Sequence, residues 1–186
     1  MSNFLLLEPD CVFIHLPKTG GSSIRHGIWA SRYEGPAFAA IPDNWRPYFK
    51  FAFVRHPLDR LVSAWADFSQ LRNFNGSIER FLDIAADESI IYDERRKTME
   101  ERIRHHAIPQ THPFNCLSHA DFVGRYERYD DDLRHVLDQV GMPASSVPRL
   151  RKTRHEGWSK HLSGNTLRRA VEYYASDFDL LEYSRP

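Results

Sequence analysis

The apolar positions fall into a few short runs and several helical stripes. Residues 11–16 (Cys-Val-Phe-Ile-His-Leu) form an apolar run between Asp10 and Pro17. A short run without alternation predicts a strand buried on both faces, as in a parallel sheet. Residues 48–54 predict a second, aromatic-rich strand, and 120–126 a third. The segment after the first strand, to about Ala30, reads as a helix. Pro57 suits the first position of another, on which Leu58, Leu61, Val62, Trp65 and Phe68 recur at three- and four-residue steps. Residues 77–106 read as helical, with charges dominating from Asp87 to Arg104. Tyr129, Leu133, Val136, Leu137 and Val140 mark an amphipathic helix that Gly141 and Pro143 would end. Leu167, Ala170, Val171 and Tyr174 mark the last. Strands alternating with helices predict an α/β fold with a parallel sheet. The chain carries no internal repeat and no low-complexity segment.

Composition narrows this picture. A chain of 186 residues suits one domain, 1–186, with a sizeable core. The 25 Lys+Arg and 25 Asp+Glu cancel, so the chain lacks the basic excess of a general nucleic-acid binder. A local basic patch around one small anion remains compatible with that balance. The 10 histidines raise the charge as pH falls through their titration range. Cys11 and Cys116 are too few for a disulfide scaffold. No run approaches the ~20 apolar residues that cross a bilayer, and Met1 to Leu7 lack a basic leader pattern. The expectation is a reduced, cytoplasmic protein that engages neither membrane nor nucleic acid. Oligomeric state is left open.

Two turns carry chemistry. The first strand runs into His15-Leu16-Pro17-Lys18-Thr19-Gly20-Gly21-Ser22-Ser23 and then a helix. Glycines allow close backbone approach, hydroxyls donate, a lysine supplies a point charge, and a helix start offers free N–H groups. This is an anion-binding design, the alternative being a polar turn with an incidental lysine. It differs from a Walker A loop, whose lysine follows the last glycine, whereas Lys18 precedes Gly20 and Gly21. The second turn, Phe53-Val54-Arg55-His56-Pro57-Leu58-Asp59-Arg60-Leu61-Val62-Ser63, puts Arg55 at a strand end and Ser63 two turns into a helix.

The pair resembles the two cofactor motifs of sulfotransferases that use 3′-phosphoadenosine 5′-phosphosulfate (PAPS). The likeness is greatest to the Golgi carbohydrate O-sulfotransferases and their small bacterial relatives. It implies a P-loop-like three-layer sandwich, with a central parallel β-sheet flanked by helices. It also implies that Pro17, Lys18, Thr19, Gly20, Gly21, Ser22 and Ser23 bind the 5′-phosphosulfate side. Arg55 and Ser63 would take the 3′-phosphate. Asp121-Phe122-Val123-Gly124-Arg125-Tyr126-Glu127 resembles a third family stretch, and Tyr174-Ala175-Ser176-Asp177-Phe178 the family's C-terminal one. In relatives a late basic segment covers the nucleotide, which brings in Arg149, Arg151, Lys152 and Arg154; the alternative is a solvated loop.

Sulfuryl transfer is similar to phosphoryl transfer in relying on positioning and charge stabilisation. Lys18 would neutralise the leaving phosphate, and no metal is required. A hydroxyl acceptor, small molecule or saccharide, also needs a base. The candidates are His15, His26, Glu34 and Asp43, with Glu34 preferred because its segment could return toward the donor. His105, His106 and His112 read as surface histidines rather than metal ligands. Pro109-Gln110-Thr111-His112 resembles a stretch near the acceptor in carbohydrate sulfotransferases, or is an ordinary turn. Trp29, Trp45 and Trp158 could stack on a sugar or the adenine, with core packing the default. The competing functions are a P-loop nucleotide kinase and a non-catalytic nucleotide-binding protein of the same fold.

Overall fold

The structure is a computed structural model that describes residues 2–91, 95, 98–143 and 156–186. In chain order come β1 (Ser2–Leu6), β2 (Cys11–Ile14), a short helix with π-type hydrogen bonding (Ser23–Ile28), β3 (Tyr33–Phe38) and β4 (Lys50–Val54). Then follow α1 (Pro57–Leu71), α2 (Ile78–Ala86), α3 (Met99–Ala107), β5 (Phe122–Arg125), α4 (Tyr129–Gln139), α5 (Gly164–Tyr173) and α6 (Ala175–Leu180). The three expected strands form, as do the helices opened by Pro57 and Tyr129. The charged middle is two helices, because each has its own start signal. Ser77 accepts from the Arg80 N–H at 3.3 Å to cap α2, and Thr98 with Glu101 forms a capping box on α3. Among the described residues no helix is long and apolar enough to cross a membrane.

The chain divides into two compact units, Met1–Arg55 with Thr111–Lys152, and His56–Gln110 with Thr153–Pro186. The first holds the sheet, ordered β3-β1-β2-β4-β5. β2, β4 and β5 run parallel, as expected, with Phe13 opposite Phe51 and Phe51 opposite Phe122. The sheet is nevertheless mixed, since β1 pairs antiparallel with both β2 and β3. The cause is chain length: only Leu7–Asp10 joins β1 to β2, far short of the dozen or more residues of a parallel crossover. Phe13, Phe51 and Phe53 bury one face of the sheet against Ile24, Trp29 and the α4 stripe Tyr129, Leu133, Val136 and Leu137. The alternate residues Val12, Ile14, Ala52 and Val54 are buried too. Each such large side chain contributes about 1.5–3 kcal/mol. The β2 run thus reads as continuously apolar because both of its faces leave water.

The second unit packs Leu58, Leu61, Val62 and Phe68 of α1 with Phe81 and Leu82 of α2, Ile103 of α3, and Ala170, Tyr174 and Phe178. Two polar fasteners hold it. Arg60, 1% exposed, donates to the carbonyls of His106 (3.0 Å), Ala107 (3.3 Å) and Ile108, capping the C-terminus of α3. Asp177, fully buried, accepts from the Gln110 backbone N–H at 2.8 Å and its side-chain amide at 3.2 Å. The Tyr174 hydroxyl donates to the Ala107 carbonyl at 2.6 Å, and burial pushes its phenol well above the ordinary range. The C-terminal Tyr-Ala-Ser-Asp-Phe stretch therefore secures the turn after α3.

Candidate functional site

The first loop leaves β2 at Ile14 and turns tightly. The Thr19 hydroxyl donates to the Leu16 carbonyl at 2.8 Å, pinning the turn from inside. Lys18 adopts a left-handed φ of 72° and Gly20 one of 93°. The lysine's conformation is a local strain that the surrounding contacts hold. Helical backbone starts at Gly21 and continues into Ser23–Ile28, so its first N–H groups lie on the loop. Two rings explain the glycines. A Cβ on Gly20 would lie 2.4 Å from Tyr129 Cε2, and one on Gly21 would lie 2.4 Å from His15 Cδ2. The His15 ring, also 5.4 Å from that of Phe13, is thus packed directly on the loop.

Arg55 follows β4, the parallel neighbour of β2. The carboxyl ends of both strands therefore reach the same edge of the sheet, where α/β folds place ligands. From there Arg55 Nη1 donates to the Lys18 carbonyl at 3.4 Å, while its guanidinium sits 4.4 Å over the Tyr126 ring. Tyr126 and Tyr129 flank the start of α4, their rings 5.8 Å apart, and the Tyr129 hydroxyl donates to the Gly20 carbonyl at 3.0 Å. The segment 121–132 is itself held at both ends. Asp121 Oδ2 accepts from the Lys50 N–H at 2.8 Å and pairs with Lys50 Nζ at 2.9 Å. Burial pushes the Asp121 carboxyl up, but the Lys50 hydrogen bonds and charge outweigh it and hold the group below its ordinary value. At the other end Asp132, 8% exposed, accepts from the Arg125 N–H at 2.6 Å. The fold thus brings Arg55 against the backbone of the lysine loop, an arrangement whose charge and free N–H groups suit an anion.

The sulfotransferase family model matches residues 27–184, well over half of the chain. The chain belongs to the sulfotransferase family. Carbohydrate sulfotransferase 14 of Homo sapiens is 30% identical over 166 residues, covering 75% of this chain and 43% of that protein. Carbohydrate sulfotransferase 9 of Homo sapiens is 24% identical over 197 residues, covering 89% and 44%. Carbohydrate sulfotransferase 11 of Mus musculus is 29% identical over 171 residues, covering 76% and 48%. The chain thus spans less than half the length of these curated relatives. A crystal structure of a sulfotransferase from Alicyclobacillus acidocaldarius is 16% identical with a TM-score of 0.49, covering 75% of this chain and 55% of that one. The family match begins at residue 27, beyond the first loop, so the reading of that loop rests on its own residues.

The remaining expected site residues divide. Pro17 and Thr19 are buried within the loop, Lys18 and Ser22 are half-buried, and Ser23 donates its N–H to the Gly20 carbonyl at 3.0 Å. Ser63 is buried on α1 in the second unit, 3% exposed. Arg151, with Arg149, Lys152 and Arg154, lies outside the described residues. Glu34 is not brought to the loop. It is exposed on the edge strand β3, opposite Leu5, which in turn faces Val12. Two strand spacings across and three residues short of His15, its Cα stands roughly 14 Å from that end of β2. The expectation failed because β1 inserts between β3 and β2, and no hydrophobic run in 33–38 signalled a strand. His26 is exposed with Nδ1 2.8 Å from Ser31 Oγ, and Asp43 pairs with Arg46 at 2.9 Å. Of the base candidates, His15 alone touches the loop among the contacts described. Among the described residues no three His, Cys, Asp or Glu side chains gather as metal ligands. Trp29 and Trp45 are core residues, as expected, and Trp158 stacks on His56 with centroids 6.1 Å apart. Two residues were missed as parts of the site, Tyr126 and Tyr129. Tyr126 falls in the Phe-Val-Gly-Arg-Tyr-Glu stretch, whose family likeness could have pointed to it, whereas Tyr129 lies two residues beyond, on the apolar stripe of the next helix.

Proposed function

We propose that this protein transfers a sulfuryl group from PAPS to a saccharide hydroxyl. The observation that carries the reading is the meeting of Arg55 with the Lys18 carbonyl. It joins two distant basic motifs at the carboxyl edge of adjacent parallel strands. A donor with phosphosulfate at one end and a 3′-phosphate at the other needs such a pair of cationic groups. The carbohydrate sulfotransferase relatives support the saccharide as acceptor class. The family match runs through both compact units, which supports reading 1–186 as one sulfotransferase domain.

In the reaction the acceptor oxygen attacks sulfur, the bond from sulfur to the leaving phosphate oxygen breaks, and the hydroxyl proton passes to a base. The products are a sulfate ester and adenosine 3′,5′-bisphosphate. Lys18 and the loop N–H groups meet the charge that builds on the leaving phosphate. Arg55 grips the 3′-phosphate on the pattern of the family motif. His15, packed on Gly21, takes the place of Glu34 as proton acceptor. A nucleotide kinase is disfavoured because Lys18 precedes the glycines.

Calorimetric titration with adenosine 3′,5′-bisphosphate and 5′-AMP tests the reading, alongside transfer of label from ³⁵S-PAPS to glycosaminoglycan chains. The expected result is a preference for the bisphosphate of at least tenfold that Arg55→Ala removes. Equal affinity for both nucleotides in the wild type would refute it. Donor binding with no transfer to any acceptor would instead favour a non-catalytic nucleotide-binding protein.

A further inference from the structure

We propose that Tyr126 and Tyr129 are positioning residues that set the two anion-gripping groups of the donor site, Arg55 and the Gly20–Gly21 peptide. The inference rests on the donor reading above and adds what holds that site in shape.

Tyr126 acts on Arg55. Its ring lies beneath the guanidinium at 4.4 Å, so the attraction uses the face of the cation. A guanidinium binds phosphate through the N–H groups along its edge. A ring on the face fixes the plane without consuming a donor, whereas a carboxylate partner would compete for the same edge. Along its edge Arg55 Nη1 meets the Lys18 carbonyl at 3.4 Å, so the stacked plane also faces the loop.

Tyr129 acts on the loop. Its hydroxyl donates to the Gly20 carbonyl at 3.0 Å, and the Ser23 N–H donates to the same oxygen at 3.0 Å. Both lone pairs of that carbonyl are thereby engaged. In a trans peptide the following N–H points opposite to the carbonyl. Fixing the Gly20 oxygen therefore aims the Gly21 N–H away from Tyr129. The ring itself occupies the space where a Gly20 side chain would lie. Both tyrosines stand on one segment, tied down through Asp121 to Lys50 and through Asp132 to the Arg125 N–H. Those bonds brace the segment against the ends of β4 and β5, the kind of support that preorganisation requires.

The two roles give different signatures. Tyr126→Leu, at a half-buried position, should weaken adenosine 3′,5′-bisphosphate about fivefold to tenfold and leave 5′-AMP within twofold. Tyr126→Phe keeps the ring and should stay within twofold for both. Tyr129→Phe keeps the packing, loses the hydroxyl, and should weaken both nucleotides about threefold to tenfold. In an Arg55→Ala background the Tyr126→Leu loss should vanish, because the ring acts only through the guanidinium. Calorimetry on the full chain reads all of these, with thermal melting run in parallel. The proposal is overturned if Tyr126→Leu weakens the two nucleotides alike, if its effect persists in Arg55→Ala, or if Tyr129→Phe binds as the wild type does. A wild type that does not prefer the bisphosphate overturns the donor reading and the positioning role of the tyrosines with it; a wild type that does, with unaltered variants, overturns the positioning role alone.

Discussion

Arg60 belongs to the same Arg-His-Pro-Leu-Asp-Arg stretch as Arg55. Its surroundings make it a structural cap. It is 1% exposed, and no described carboxylate pairs with it. Nη1 reaches the His106 carbonyl at 3.0 Å and Nη2 the Ala107 carbonyl at 3.3 Å, with Ile108 also in contact. Its Nε has no hydrogen-bond partner among the described residues, so part of the gain is offset. Arg60→Met keeps the length and apolar stem but removes two or three charge-assisted bonds. Each is worth roughly 1.5–3 kcal/mol, against relief of about 2–4 kcal/mol from desolvating the cation. Leaving helix-end carbonyls buried and unpaired adds about 1–3 kcal/mol. At the centre of these ranges the net expectation is a loss of about 4–5 kcal/mol. For a chain of this size that lowers Tm by roughly 8–20 °C. Melting followed by circular dichroism reads the loss, and calorimetry with adenosine 3′,5′-bisphosphate at low temperature reads the site. The ratio of bisphosphate to 5′-AMP affinity should stay within twofold of wild type. A variant that melts like wild type but loses that ratio would refute the capping role.

Three further outcomes are expected. Gly20→Ala puts a Cβ 2.4 Å from the Tyr129 ring at a φ of 93°, so it should cost about 2–4 kcal/mol in urea unfolding and weaken nucleotide binding; a fully stable, tightly binding variant would contradict the loop geometry. Lys18→Ala should lower kcat about 10²- to 10³-fold while bisphosphate affinity falls less than tenfold, and equal losses would make Lys18 a ground-state anchor. Burial, with the Asp10 charge adding, pushes the Cys11 thiol up to about 12. The folded state thus holds the thiol neutral while the unfolded chain ionises, so stability is full below the ordinary thiol value and is lost as pH rises toward 12. Between pH 8 and pH 10 the wild type should lose about 1–2 kcal/mol more than Cys11→Ala in urea midpoints; parallel curves would count against it.

The sheet core was legible because burial on both faces writes a continuous apolar run. Cys11–Ile14 and Lys50–Val54 are such runs, and both form central strands. β1 and β3 were not legible. β3 holds Glu34, Gly35 and Pro36, all exposed, and is a strand only because β1 offers it hydrogen bonds. The helix-like stretch 77–106 was resolved into two elements by Ser77 and Thr98, polar caps that a count of charges does not weigh. For the candidate site, Lys18, Gly20, Gly21 and Arg55 carried local signals: a glycine turn between strand and helix, and an arginine at a strand end. Tyr129 carried the opposite signal. Its place on an apolar stripe marks it as core, and it is core, yet its hydroxyl reaches a loop carbonyl from 109 residues away in sequence.

By itself the sequence determined the strand–loop–helix order, the lysine-bearing glycine turn of residues 17–23, and the presence of a second basic turn at Arg55. These follow from local chemistry, since periodicity, turn residues and caps act within a few residues of one another. Only the tertiary structure decided that Arg55 lies against Lys18, that Arg60 caps a helix, and that Glu34 stands two strands away from the loop. Strand order and side-chain reach are set by pairing and burial between distant segments, and no short window of sequence contains both partners of such a contact.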